Sequence, residues 1–244
     1  MGSENDSAAA ARRGAVLFGR RRGPKLRPTR RRLLEELLPA LGVTLPDEDL
    51  TNRPLDRFPP DARDDLWLEI GFGGGEHLIA QAIANPRVAF LGCEPFVNGV
   101  ARLLSDLFSA GMSDPATGNV RIFSDDGRDL VAALPDASVG RVFILFPDPW
   151  PKARHHKRRL VAEGLLDQLA RVMKKGAELR IATDHQSYCR WILARILAHQ
   201  GFAWTNSRPD EWRNRPSDWP ETRYERKAGT AGRDCVYLKF RRRG

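Results

Sequence analysis

From Leu66 onward, short and almost unbroken apolar runs alternate with stretches of helical spacing, and this alternation limits the fold more than any other feature of the chain. "LWLEIG" leads into "EHLIAQAIA", and "RVAFLGCE" into "FVNGVARLLSDLFSAG", which stops at Gly111. "NVRIFSDD" and "GRVFILFPD" read as the third and fourth strands, and "RLVAEGLLDQLARVMKKG" as a long helix ending at Gly176. "AELRIATD" is a fifth strand, "QSYCRWILARILAHQG" another helix, and "FAWTNS" and "DCVYLKFR" are two last strands. Strands apolar on both faces need helices on both faces, so the pattern predicts a parallel sheet joined by right-handed crossovers. The connection from about Arg208 to Arg233 is too long to be idle in a compact domain.

Ligands of such sheets sit at the carboxyl ends of the strands. The sequence puts an acid at each of the first five: Glu69, Glu94, the pair Asp125 and Asp126, Asp148, and Asp184. Any one of them alone is as readily a helix cap or turn residue. Their repetition at every strand end argues for one shared site. The first strand also opens into Gly71, Gly73, Gly74 and Gly75. A dinucleotide fingerprint needs a third glycine where Glu76 stands, and a phosphate-cradling loop needs a Gly-Lys-Ser/Thr that is absent. Glu69 and Glu76 would repel a pyrophosphate, which speaks against a nicotinamide dehydrogenase and for a cofactor bearing positive charge. Glu94 is placed to hold ribose hydroxyls and Asp126 to border a base, so loop and acids together point to S-adenosylmethionine.

Charge narrows the partner. Lys and Arg outnumber Asp and Glu 40 to 31, with a pI near 10.0, which favours nucleic acid over membrane. No apolar run is long enough to span a bilayer. Asp6 stands where an acylation signal wants Ser or Thr. Cys93, Cys189 and Cys235 show neither disulfide nor metal-ligand spacing, so a reducing cytoplasm and no metal are expected. Residues 1–27 read as a flexible basic arm, and residues 28–65 as a helix and an irregular connection packed on a body of residues 66–244. Thr29 is the expected cap of that helix and Pro39 its expected end.

Between the fourth strand and the next helix stands "FPDPWPKARHHKRR", in which prolines flank Asp148 and a basic run follows. With "LEIGFGGGEH", "FLGCEPF", "RIATDHQSY" and "RPSDWPETRYERKA", it makes the chain resemble the tRNA (guanine-N7-)-methyltransferases from about Phe18 to the C-terminus. The resemblance implies a class I methyltransferase, Rossmann-like fold: a seven-stranded, mostly parallel sheet with helices on both faces and an antiparallel last strand. It implies methyl transfer from S-adenosylmethionine to N7 of a guanosine in the variable loop of tRNA, by a cytoplasmic monomer or homodimer. Cofactor contacts fall by position on Glu69, Glu94, Asp126 and Asp148, beside Gly71, Gly73 and Gly75 of the loop. Substrate contacts fall on Lys152, Asp184, Thr222, Arg223, Tyr224 and Glu225. That last tetrad often reads Thr-Lys-Phe-Glu in the family, so Arg223 and Tyr224 depart from the commoner pattern.

The chemistry fits these residue types. Guanine N7 carries a free lone pair, so no base is needed, and alignment supplies most of the acceleration, about 7–11 kcal/mol for well-oriented partners. Positive charge moves onto the purine during transfer, and Asp148 is the candidate catalytic carboxylate that favours it. Asp184 or Glu225 can accept from the guanine N1–H and N2–H, with Thr222 adding a hydroxyl. Trp212, Trp219 and Tyr224 are candidate stacking faces for an extruded base. Lys152, Arg154, Lys157, Arg158 and Arg159 read as phosphate grips, extended by the basic arm and by Arg241 to Arg243. RNA affinity is then expected to fall with salt at about −0.7 to −0.9 in log K per phosphate contacted.

Overall fold

A computed structural model describes residues 19–244. The elements are α1 (Pro28–Leu41), β1 (Gly42–Val43), α2 (Glu48–Asn52), β2 (Asp65–Ile70), α3 (Glu76–Ala84), β3 (Val88–Cys93), α4 (Val97–Ser109), β4 (Val120–Phe123) and α5 (Gly127–Ala133). There follow β5 (Val139–Leu145), α6 (Glu163–Val172), β6 (Met173–Thr183), α7 (Gln186–Ala198), β7 (Phe202–Trp204), α8 (Pro209–Arg213), α9 (Arg223–Thr230) and β8 (Val236–Arg242). The strands form one sheet in the order β1-β4-β3-β2-β5-β6-β8-β7. Only β8 runs against its neighbours, pairing antiparallel with both β6 and β7.

The sheet therefore has eight strands where the sequence pattern gave seven. The extra one, β1, is two residues long and pairs with β4 at the sheet edge, too short to leave a period in the sequence. A second difference lies at Met173–Gly176, read as the end of a helix. α6 stops at Val172 and β6 begins at Met173, which pairs with Val139, while Lys174 reaches Asp65 at 2.6 Å. Strand pairing and this ion pair override the helical preference of Met-Lys-Lys.

Alternation along each strand sorts side chains to two faces. Leu66, Leu68 and Ile70 of β2 join Val142 and Ile144 of β5 on one face, under Leu130, Leu165, Leu169, Tyr188 and Ile192 of α5, α6 and α7. The other face is shared. Phe90 and Ile122 pack beneath Leu78, Leu103 and Leu107 of α3 and α4, with Leu41 of α1. Further along, Phe143, Leu145 and Ala182 are covered by Trp219 and Tyr237.

α1 begins after Arg27 with Pro28 at its first position, and no side chain caps it, so Thr29 lies inside rather than at the cap. Pro39 does not end it; the helix runs on to Leu41. A proline inside a helix costs about 3 kcal/mol, and burial of Leu33 and Leu41, each worth roughly 2 kcal/mol, offsets it. Residues 19–27, inside the stretch read as a flexible arm, lie along the start of α4. Val97 N–H donates to the Arg21 carbonyl at 3.0 Å, and Asn98 bonds Gly23 N–H and the Pro24 carbonyl, each at 2.8 Å. The preceding part of that arm falls outside the described residues.

The antiparallel last strand has a further effect. Val236 pairs with Thr183 at the carboxyl end of β6, Arg241 pairs with Glu178 halfway back along it, and Gly244 reaches Lys175 near its beginning. Arg241–Arg243 thus lie at the opposite edge from the strand ends that form the site, and do not extend a basic track there.

Candidate active site

A cavity of about 490 Å³ opens at the carboxyl ends of β2 to β5, within the range of small-molecule sites. Its floor is the loop between β2 and α3. Gly71, Gly73 and Gly75 have φ of 77°, 58° and 81°, a region glycine enters without cost. Gly73 N–H donates to Glu94 Oε2 at 2.7 Å, and Phe96 N–H to Glu94 Oε1 at 2.9 Å. A Cβ at Gly99 would stand 2.1 Å from the Gly73 carbonyl oxygen, so α4 can approach the loop only where residue 99 lacks a side chain. Gly75 shapes the loop from beneath, facing Leu103, and does not line the cavity.

The opposite wall is the exit of β5. Phe146 and Trp150 have φ of 53° and 42°, each costing on the order of 1–3 kcal/mol for a side-chain-bearing residue. Between them, Pro147 and Asp148 face the cavity. Prolines stiffen this loop, but its shape is set by two left-handed aromatic residues that sequence reasoning did not single out. The Tyr224 ring lies nearly parallel to Phe146, centroids 6.2 Å apart, and Arg158 sits 4.9 Å over Trp150.

Glu94, Asp126 and Asp148 all line this one cavity. Burial pushes the Glu94 carboxyl up; backbone amides of Phe96 and Gly73 pull it back, and the charges of Asp148 and Glu69 push it up again. Burial also raises Asp148. Asp126 caps α5 by accepting from Arg128 N–H at 3.0 Å, and the Arg128 guanidinium grips it through Nε at 3.0 Å and Nη2 at 2.5 Å. Glu69 is buried below, paired with His77 Nδ1 at 2.7 Å, and does not line the cavity.

The acids assigned to the substrate stand elsewhere. Asp184 Oδ2 accepts from Arg233 Nε at 2.8 Å and borders a separate depression of about 200 Å³ with His185, Cys189 and Asp234. Thr222 and Glu225 form a capping box on α9: Thr222 N–H donates to Glu225 Oε2 at 2.7 Å, and Glu225 N–H to Thr222 Oγ1 at 3.3 Å. Glu225 Oε1 accepts from Tyr237 Oη at 2.6 Å. Of that tetrad, Arg223 and Tyr224 reach the cavity.

The aromatic and basic candidates also divide. Trp219 is 5% exposed, packed among His77, Phe143 and Tyr237, which removes it as a stacking face. Trp212 packs against the main core with Arg213 over its ring. Tyr224 is 37% exposed and stays available. Lys152, just before the turn Ala153–Arg158, and Arg154 within it are exposed and do not line the cavity, while Arg158 does. Arg159, read as a phosphate grip, is buried. Among the described residues no group of three or more His, Cys, Asp or Glu is placed to hold a metal ion, and no helix is long and apolar enough to cross a membrane.

Sequence reasoning missed Arg128, Asn98 and Gly99. The capping signature at Asp126 marks the Arg128 backbone amide and not its guanidinium.

An open α/β sheet with a glycine loop and carboxylates at one strand edge defines a class I methyltransferase fold, and solved structures agree. A 16S rRNA methyltransferase, KamB, superposes with a TM-score of 0.54 at 18% identity, covering 78% of this chain and 90% of its own. A 16S rRNA (adenine(1408)-N(1))-methyltransferase variant from Catenulisporales acidiphilia, solved with SAM, gives 0.53 at 19%, covering 82% and 93%. The profile of the family described as "Putative methyltransferase" matches residues 63–238. The tRNA (guanine-N(7)-)-methyltransferase of Rhodospirillum rubrum is 49% identical over 231 residues, 94% of this chain and 88% of the relative. That of Paramagnetospirillum magneticum is 46% identical over 241 residues, 99% and 98%. The chain belongs to the tRNA (guanine-N(7)-)-methyltransferase family.

Proposed function

We propose that this chain is a cytoplasmic tRNA methyltransferase that transfers the methyl group of S-adenosylmethionine to N7 of a guanosine in the tRNA variable loop. The observation that carries the reading is the single cavity holding Glu94, Asp126 and Asp148 between a glycine loop and a strained proline loop.

The cavity suits that cofactor. The close approach of α4 to Gly73 keeps the floor bare of side chains, and Glu94 and Asp148, both raised by burial, gain from a nearby cation. When bound, S-adenosylmethionine supplies a methyl carbon on a positively charged sulfur that leaves as a neutral thioether. Glu94, which holds the glycine loop, would hold the ribose, and Asp126, fixed by Arg128, would border the adenine.

Guanine N7 attacks through its own lone pair and loses no proton. The purine gains positive charge as the bond forms, and Asp148, held in a poorly hydrated wall, stabilises that charge. Tyr224 offers a partly exposed ring at the mouth for an extruded base. Lys152 and Arg154, exposed on the segment that leads to the cavity-lining Arg158, meet phosphates with it. Asp184 or Glu225 meets the Watson–Crick edge only after giving up present partners, Arg233 for the one, Tyr237 and Thr222 for the other.

The test is incubation of the purified chain with unmodified bulk tRNA and methyl-labelled cofactor, followed by nucleoside analysis. Label in N7-methylguanosine supports the reading. Label confined to another nucleoside, or none with cofactor bound, overturns it.

A further inference from the structure

The basic run after the proline loop contains one cation that does not behave like the rest. Lys152, Arg154 and Lys157 are exposed and Arg158 is half-buried over Trp150, but Arg159 is 4% exposed. Among the described residues it has no ion pair with a carboxylate. An uncompensated buried guanidinium is costly unless every donor finds something. Its Nε donates to the Pro149 carbonyl at 2.8 Å and its Nη2 to Ser187 Oγ at 3.3 Å. The rings of Tyr188 and Trp191 lie 5.0 and 4.8 Å from its central carbon. Both rings are themselves fixed by one residue: Val161 N–H donates to Tyr188 Oη at 3.1 Å, and Trp191 Nε1 donates to the Val161 carbonyl at 2.8 Å.

The carbonyl that Arg159 holds belongs to the peptide joining Pro149 to Trp150. That peptide is turned by the positive φ of Trp150, a conformation that persists only where surrounding contacts over-determine it. Asp148 is the next residue back. Holding the Pro149 carbonyl therefore fixes where the Asp148 backbone leaves the loop. Ser187, Tyr188 and Trp191 all lie on α7, which begins two residues after Asp184. The clamp thus ties the exit of β5 to the exit of β6.

We infer that Arg159 is a positioning residue for methyl transfer: it acts through the Pro149 carbonyl to hold Asp148 in place, and does not grip RNA phosphate. The inference rests on the assignment of Asp148 proposed above.

The experiment compares Arg159→Gln, Arg159→Lys and Asp148→Asn in the full chain. It reads kcat, the KM for tRNA, the salt dependence of tRNA binding and thermal stability. Arg159→Gln is expected to lower kcat about a hundredfold, the scale of a small misplacement at the reacting centre. The tRNA KM and salt slope stay as they were, and Arg159→Lys, which keeps the charge without the planar fork, recovers only part of kcat. An unchanged kcat with weaker tRNA binding and a salt slope reduced by one contact makes Arg159 a phosphate ligand and overturns the inference. A lowered melting temperature with full kcat per folded molecule makes it merely structural and does the same. Where the Gln variant fails to fold, Arg159→Lys alone is read by the same split. If Asp148→Asn keeps full turnover, the Asp148 assignment fails; if it loses turnover while the Arg159 variants keep theirs, only the positioning inference fails.

Discussion

The two halves of the sheet treat their acids differently. At the ends of β3, β4 and β5, Glu94, Asp126 and Asp148 converge on one cavity, and burial raises two of them. Beyond β6, Asp184 is ion-paired to Arg233, and Glu225 is spent on a helix cap and on Tyr237. A small cationic ligand needs a site built before it arrives. A surface for a polynucleotide can keep its charges paired internally and exchange them on contact. The first half is prepared, the second self-satisfied.

The largest break in that contrast comes from Asp148→Asn. Removing the charge at the reacting centre is expected to cut kcat about 10²–10³-fold, while cofactor affinity by calorimetry changes far less. A loss that appears only in the KM for tRNA would move Asp148 to the RNA side. Next in size, Glu94→Gln weakens a carboxylate that holds two loop amides. Cofactor dissociation is expected to rise roughly 30-fold, from about 2 kcal/mol for a charge-assisted hydrogen bond, with turnover at saturation nearly kept.

Acidity sharpens the comparison further. Glu94 and Asp148 are raised in the free protein, so each keeps its proton to a higher pH than an exposed acid. A cation favours their charged forms, so its binding releases protons. Affinity must then fall as pH drops through the raised carboxyl range and level off above it. A calorimetric titration of cofactor across that range checks the sign, and a flat profile contradicts it. The smallest effect belongs to the second half. Arg233→Ala frees Asp184 from a partly exposed pair worth about 0–1 kcal/mol. The KM for tRNA is expected to fall by at most about fivefold, with cofactor affinity unchanged in the same assay.

The contrast also explains what the sequence could reveal. Strand-end acids and glycines are local patterns, and Glu94, Asp126, Asp148, Gly71 and Gly73 stand where the pattern put them, around one cavity. Glu69 and Asp184 follow the same pattern but point to other partners, because a strand end fixes an edge and not a side-chain direction. Thr222 and Glu225 have the Thr-x-x-Glu spacing of a capping box, and that local geometry is the one they adopt. Trp219 and Arg159 were misplaced for a different reason. Burial of a tryptophan beneath a long loop, or of an arginine between two rings, depends on contacts made across the sheet, and no spacing within "RPSDWPE" or "HHKRR" encodes it. β1 and the start of β6 were invisible because they exist only through pairing.

The reversed direction of β8 decides where residue 244 lies. Gly244 comes to rest beside Lys175, near the beginning of β6, with the length of the strands between it and the cleft. A surface tether attached at that residue emerges on the rear of the enzyme, and an immobilised molecule still presents an open mouth to a bulky substrate.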